Sequence, residues 1–350
     1  MQTLRELFTK LPIIKHDDRI LLLTHTDLDG EGAVILLSAL FEKITVKRCS
    51  NAVMDKEIRN AIQPEIINNY DKIVICDISC TEETADLIRY NPYMNKIILI
   101  DHHKTAMYLN NYPFAVVYSD MISDSFRADI YYDKNDWPNA HSSATGLLYD
   151  YLDITGHTTR FGNGYLARLF THLVSCYDTW DWVNIFNKTE TAPIALNNLF
   201  YIYGHKLFDK RMINKLTDNQ ATDLIDETDT LLLKIDQYKR EETIEKASKS
   251  IKTGILTIDN KTYSIAICFI NEHMNSVFEY MKTEYPDTDI QIIITPRSIN
   301  MRTAKNDIDI SVIAKQAGGG GHPQASGITI DYRDQMDFIA NAMNAAITLD

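Results

Sequence analysis

Three short apolar runs, each halted by an acid or a histidine, constrain this chain more than any other feature. Arg19-Ile20-Leu21-Leu22-Leu23-Thr24 runs into His25-Thr26-Asp27-Leu28-Asp29-Gly30. Lys72-Ile73-Val74-Ile75-Cys76 runs into Asp77-Ile78-Ser79, and Ile97-Ile98-Leu99-Ile100 into Asp101-His102-His103. Runs this short and aliphatic read as strands buried on both faces of a parallel sheet. The stretches between them read as helices. Val34, Leu37 and Phe41 recur at helical spacing within 31–41, and 55–62 and 82–90 each stop before a proline, Pro64 and Pro92. Strand and helix in alternation predict a parallel α/β sheet. Ligands of such sheets sit beyond the carboxyl ends of the strands, where these acids and histidines stand. Aspartate and imidazole are metal-ligating types. Each cluster alone has a plainer reading, an acid that caps the next helix or closes a turn. Three strand ends of one kind favour a dinuclear metal site. An extended backbone after Thr24 would put His25, Asp27 and Asp29 on one side. A calcium loop does not fit, because the acids stop at Gly30 and no downstream glutamate completes it.

A length of 350 residues predicts two domains, each able to bury its own core. A hydrophobic share of 45% and a charged share of 24% are those of a globular protein. No apolar run approaches a membrane span and Met1–Lys10 has no signal-peptide pattern, so a cytoplasmic location without a membrane partner is expected. Cys49, Cys76, Cys80, Cys176 and Cys268 show no zinc spacing and read as reduced, mostly buried thiols. The net charge of −13 argues against coating long nucleic acid, but leaves room for a short phosphorylated substrate in a local cationic pocket.

Residues 1–185 are the expected first domain. Within it, 114–118 reads as a further strand and the Asp- and Ser-rich stretch to Asn139 as a surface excursion. His141-Ser142-Ser143-Ala144 opens a helix through Leu152, with His141 in a surface or capping role, and 163–174 is helical. Asp178 and Asp181 follow among Tyr177, Trp180 and Trp182, where local pattern alone reads them as structural. Residues 186–250 lose the strand signal and interleave charges of both signs, which predicts a helical connector with a solvated face.

Residues 251–350 predict a smaller α/β domain. Its strands 254–259 and 262–269 flank the hairpin signal Asp259-Asn260. Helix 274–285, strands 290–295 and 299–303, helix 309–316, strand 328–330 and helix 335–347 follow. Between helix 309–316 and strand 328–330 lies Gly318-Gly319-Gly320-Gly321-His322-Pro323-Gln324-Ala325-Ser326-Gly327. A flexible linker is disfavoured because the domain continues beyond it, and a P-loop because no Gly-Lys-Ser/Thr ends it. The remaining reading is a loop in which the backbone of Gly319, Gly320 and Gly321, with His322, approaches an anion closely. Arg302 would supply a bidentate partner for phosphate.

With these motifs in this order, the chain resembles the DHH phosphoesterase superfamily. Its glycine-rich segment resembles the DHH-associated C-terminal domain of RecJ-type exonucleases and of enzymes that degrade very short RNA. The resemblance implies two divalent ions, Mn²⁺ with Mg²⁺ or Co²⁺ as alternatives, an active site in the cleft between the two domains, and phosphoester hydrolysis by a metal-activated water. Carried over, Asp27, Asp29, Asp77, His102 and Asp178 match the metal ligands, with Asp77 as the bridge. Asp178 is preferred to Asp181 because Tyr177-Asp178-Thr179 matches the fourth motif, although the neighbouring tryptophans depart from the small residues of that motif. His25 is counted with the ligands, although only Thr26 separates it from Asp27, where some members place their histidine further upstream. His103 matches the histidine near the scissile phosphate, and Asp101 orients the histidines. Arg302, Gly319, Gly320, Gly321 and His322 would hold a neighbouring phosphate or the terminal nucleotide.

The first expectation for substrate is an oligoribonucleotide of a few residues, cut to mononucleotides. The alternatives are a phosphatase of 3′-phosphoadenosine 5′-phosphate or a phosphodiesterase of cyclic mono- or dinucleotides. A non-catalytic nucleotide- or metal-binding module is the alternative of another class. A homodimer is the candidate assembly.

Overall fold

The computed structural model describes residues 4–50, 52–122, 140–184 and 191–331. The expected surface excursion up to Asn139 and the expected helix 335–347 lie outside them, apart from the first residues after Tyr118. The chain divides into two compact units, Met1–Leu233 and Lys234–Asp350.

The first unit opens with α1 (Leu4–Phe8), β1 (Ile20–Thr24), α2 (Leu28–Leu40), β2 (Ile44–Arg48), α3 (Met54–Ala61), α4 (Pro64–Ile67), β3 (Lys72–Cys76) and α5 (Glu82–Arg89). It continues with β4 (Ile97–Asp101), β5 (Ala115–Val117), the short pair β6 (Met121–Ile122) and β7 (Ala140–His141), α6 (Ala144–Ile154), α7 (Gly164–Asp178), α8 (Asp181–Asn184) and α9 (Ala192–Thr217). One sheet of order β2-β1-β3-β4-β5 organises it, with every neighbour parallel. Alternate side chains of β1, β3 and β4 enter two separate cores, which is why these strands are apolar without interruption. Leu22, Val74, Ile98 and Ile100 pack with α2, α6, α7 and α9. Leu21, Leu23, Ile73, Ile75 and Leu99 pack on the other side with Ile58 of α3 and Ile88 of α5. Each such side chain, fully buried, stabilises the fold by about 1.5–3 kcal/mol.

Two expectations change. The helix after the first motif begins at Leu28, not at Glu31, because Asp27 is its N-cap and its Oδ1 accepts the Gly30 N–H at 3.0 Å. The backbone therefore does not stay extended through Asp29, and strand alternation is not what gathers His25, Asp27 and Asp29. Further on, α9 lies in the stretch read as a connector, yet its Leu196, Leu199, Phe200, Phe208, Met212 and Leu216 are buried in the first core. The compact unit accordingly runs to Leu233 rather than stopping near residue 185. Helix α10 (Glu227–Ser250) follows, and its Asp229 is fully buried against α9. That carboxylate accepts hydrogen bonds from Arg211 Nε at 2.7 Å, Lys215 Nζ at 2.9 Å and Tyr203 Oη at 2.7 Å.

The second unit contains β8 (Lys252–Ile258), β9 (Lys261–Phe269), α11 (Met274–Glu284), β10 (Ile290–Ile294), β11 (Ser298–Arg302), α12 (Ile310–Gln316), β12 (Gly320–His322) and β13 (Ala325–Thr329). They form a sheet of order β12-β13-β11-β10-β9-β8, in which β9 and β10 are parallel and the other neighbours antiparallel. Asp259 and Asn260 take left-handed φ values of 50° and 63°, as a two-residue hairpin turn requires. Helix α11 covers Ala266, Cys268 and Ile293 on one face, and α12 covers Ile290, Ile292 and Met301 on the other.

The glycine run is not an open loop. Gly320–His322 is strand β12, paired with β13 through Gly320 with Gly327 and His322 with Ala325. A Cβ at Gly319 would lie 2.2 Å from the Gly327 carbonyl oxygen, and one at Gly321 would lie 2.5 Å from that of Ala325. Close approach of a neighbouring strand thus accounts for glycine at these two positions.

All five cysteines are buried and form no disulfide. Among the described residues no helix is long and apolar enough to cross a membrane.

Candidate metal centre

The strand order 2-1-3-4-5 reverses between β1 and β3, and such a switch point leaves a crevice at the carboxyl ends of the strands. His25 and Asp27 leave β1 there, Asp77 leaves β3, and His102 and His103 leave β4. Asp178 arrives from the last turn of α7. His25 Nδ1 lies 2.6 Å from Asp27 Oδ2 and 4.0 Å from Asp77 Oδ2. His102 Nε2 lies 3.2 Å from Asp178 Oδ2, 3.6 Å from Asp77 Oδ1 and 3.7 Å from Asp29 Oδ2. Three overlapping donor groups result, His25–Asp27–Asp77, Asp29–His102–Asp178 and Asp77–Asp101–His102–His103, and each could hold a metal ion. Asp77 turns Oδ2 toward His25 of the first and Oδ1 toward His102 of the second.

Each side chain is held by the fold. Gly30 lets α2 start directly against the His25 backbone, since a Cβ there would lie 2.5 Å from the His25 carbonyl oxygen. Asp29 is almost fully buried, and its two oxygens accept the Ala144 and Thr145 N–H groups at 2.8 and 2.9 Å. The N-terminus of α6 therefore fixes Asp29. Asp77 takes a left-handed φ of 61°, a strained conformation for a residue with a Cβ. Asp101 is fully buried; its Oδ1 accepts the His102 N–H at 2.8 Å and His103 Nδ1 at 2.8 Å, and Ser79 Oγ donates to its Oδ2. It positions both histidines from behind.

The electrostatics favour a cation. Burial, then the charges of Asp29, Asp27 and Asp178, push the Asp77 carboxyl well above its ordinary range. Burial and then Asp29 and Asp27 do the same to Asp178. Asp77 Oδ2 and His102 Nε2 are buried without a hydrogen-bond partner. Buried polar atoms are nearly always satisfied, so one orphan in each of the first two donor groups marks a place that a ligand completes. Carboxylate oxygens with imidazole suit hard-to-borderline divalent ions. His103 behaves differently: its hydrogen bond to Asp101 raises its pKa to about 9 against the effect of burial.

The first unit thus brings together His25, Asp27, Asp29, Asp77, Asp101, His102, His103 and Asp178. Local pattern gave no reason to choose Asp178 over Asp181; the structure separates them, because Asp181 is buried on the His141 N–H at 2.7 Å and its Nδ1 at 2.9 Å. Ser79 and the N-terminus of α6 were not foreseen. A serine two residues past Asp77 was the sole sequence signal for the former.

Arg302, Gly319, Gly320, Gly321 and His322 belong to the second unit. Arg302, Ala325 and His322 stand opposite one another on β11, β13 and β12, so Arg302 and His322 share a face. Asn300, Gly327 and Gly320 form the next row on that face. Arg302 stacks over Phe278 of α11, its Cζ 5.1 Å from the ring centre. The row between Arg302 and His322 carries only the Ala325 methyl group.

Two family models match the sequence. The DHH family N-terminal domain matches residues 19–168 and the DHHA1 domain matches residues 258–349. The chain belongs to the DHH family and is a phosphoesterase of that family. A relative from Bacillus subtilis, oligoribonuclease NrnB, is 28% identical over 333 residues, covering 92% of this chain and 75% of its own. Solved structures with a similar chain course include the pGpG-specific phosphodiesterase PggH from Vibrio cholerae, 15% identical over 93% of this chain and 97% of that one, with a TM-score of 0.49. Another is the exonuclease RecJ bound to manganese, 15% identical over 99% and 96%, with a TM-score of 0.47.

Proposed function

We propose that this protein hydrolyses oligoribonucleotides of a few residues to mononucleotides, using two divalent ions, Mn²⁺ first among them. The observation that carries the reading is Asp77, a buried bridge whose two oxygens turn to two separate donor groups. The 28% identity to an oligoribonuclease over most of the chain supports the choice of substrate.

Ions held by these groups would supply a Lewis acid for the phosphate oxygens and draw a nucleophile from water near neutral pH. Asp27, Asp29, Asp77, Asp178, His102 and His25 would hold them. Asp101 accepts the His103 Nδ1–H, and that hydrogen bond favours the protonated ring, whose Nε2–H would donate to a phosphate oxygen. That donor meets negative charge as it develops on the phosphate. In the C-terminal domain, residues 251–350, Arg302 and His322, which share a face of the sheet, would bind a phosphate or the terminal nucleotide.

The test is product analysis with Mn²⁺ on a labelled RNA dinucleotide, an RNA of about 24 nucleotides, 3′-phosphoadenosine 5′-phosphate and a cyclic dinucleotide. Fast cleavage of the dinucleotide with slow attack on the long strand is expected. Preference for the bisphosphate or the cyclic compound would overturn the substrate, and turnover of none of them would overturn the reading.

A further inference from the structure

The α7–α8 junction carries two tryptophans that the metal centre does not use. Trp180 stands two residues beyond Asp178, so its Cα is within about 7 Å of that residue's. It is 62% exposed and has a left-handed φ of 61°. A non-glycine residue held at a left-handed φ carries backbone strain, and such strain clusters at ligand sites. The strain is also held firmly. The Trp180 N–H donates to the Tyr177 carbonyl at 3.2 Å, and its own carbonyl accepts the Val183 and Asn184 N–H groups, both at 2.9 Å. Next to it, Asp181 is buried and bound twice to His141. Trp182 lies against Trp180 with ring centres 6.3 Å apart and planes 24° apart. One indole is thus braced by the other and its main chain cannot swing away.

A rigid, exposed, braced aromatic within one nucleotide's reach of a phosphate-cutting centre matches the chemistry of a nucleobase, whose flat face stacks on an indole whatever its sequence identity. We propose that Trp180, backed by Trp182, is the stacking platform for the base next to the scissile phosphate. It is a specificity-determining residue, one that makes the enzyme prefer nucleotides over phosphodiesters without bases. The inference rests on the proposed nuclease reading, and deepens it.

The same site explains why a tryptophan is tolerated in a motif beside a metal ligand. Its ring adds affinity without adding charge to a crevice already crowded with carboxylates. Base stacking of this kind is worth roughly 5- to 150-fold in affinity per base.

The experiment compares an RNA dinucleotide with the same ribose-phosphate dinucleotide lacking both bases, in wild type, Trp180→Ala and Trp180→Phe, with Mn²⁺ present. Wild type is expected to prefer the base-bearing substrate through KM by roughly 5- to 150-fold. Trp180→Ala should lose that preference with kcat changed little, and Trp180→Phe should restore most of it. A preference unchanged in Trp180→Ala overturns the platform while leaving the nuclease reading intact. A second readout does not need turnover: quenching of tryptophan fluorescence by adenosine monophosphate, with ribose 5-phosphate as control. Quenching that is lost in Trp180→Ala supports stacking even if no dinucleotide is cleaved, an outcome that would remove the nuclease reading alone. Equal quenching in wild type and Trp180→Ala overturns the platform.

Discussion

Asp77 and Asp229 are both buried aspartates of the first unit, with 3% and 0% of their surface exposed, and their surroundings have opposite sign. Asp229 faces Arg211, Lys215 and Tyr203, with Asp226 adjoining. Burial opposes its charge, but the hydrogen bonds from Arg211 and Tyr203 hold the carboxyl far below its ordinary range. Asp77 faces Asp27, Asp29 and Asp178, and its carboxyl is pushed up. The fold brings lysine and arginine to the carboxylate that ties α9 to α10, and further carboxylates to the one at the switch point of the sheet. A buried charge that is paired from within stabilises structure. One that is left short of positive charge keeps a place for an ion from outside, at a cost to the metal-free fold.

The largest expected break of this contrast is Asp77→Asn, measured by Mn²⁺-dependent dinucleotide hydrolysis. Turnover should fall about a thousandfold or more, because the ions stabilise the transition state by several kcal/mol. Asp229→Ala should leave the metal centre in place but cost about 3 kcal/mol of stability, since it strands Lys215 and Arg211. Urea unfolding at 25 °C measures it, and a loss under about 0.5 kcal/mol would mean that Asp226 alone satisfies both cations.

Arg302→Ala should raise KM about tenfold with kcat changed little, the value of a charge-assisted hydrogen bond to phosphate. An unchanged KM would remove Arg302 from the pocket. In metal-free protein Asp77→Asn should raise the unfolding midpoint, by roughly 2–4 °C if the relief is about 1 kcal/mol. A lower midpoint would mean that the crevice is not short of positive charge.

The smallest effect is in pH. The ordinary aspartate value is near 4, and the folded value of Asp229 is lower. Its contribution is therefore complete above about pH 4 and is lost as pH falls toward the folded value. The stability gap between wild type and Asp229→Ala should shrink between pH 5 and pH 3, read by urea unfolding at both.

Much of this was legible before any coordinates. The aliphatic runs ending at Thr24, Cys76 and Ile100 fix strands whose carboxyl ends share an edge, because period and burial are local properties of sequence. Partners far along the chain were not legible. Nothing near Asp29 announces that the α6 N–H groups, more than a hundred residues on, will hold it. The glycines at 319 and 321 read as a ligand loop because the strand they must approach, β13, is visible only once paired. The second half of helix α9 read as solvated because Lys206, Asp209, Lys210, Arg211 and Lys215 interleave with the buried positions Phe208, Met212 and Leu216. Asp178 and Asp181 look alike in sequence and differ only in what meets them, His102 for one and His141 for the other.

The most direct single measurement is a calorimetric titration of Mn²⁺ into metal-free wild type, Asp77→Asn and Asp229→Ala. The expected result is two ions per chain for wild type and for Asp229→Ala, with binding weakened or a site lost in Asp77→Asn. Equal binding by wild type and Asp77→Asn, or no binding by wild type, would contradict the claim that the carboxylates of the switch point are held apart for metal.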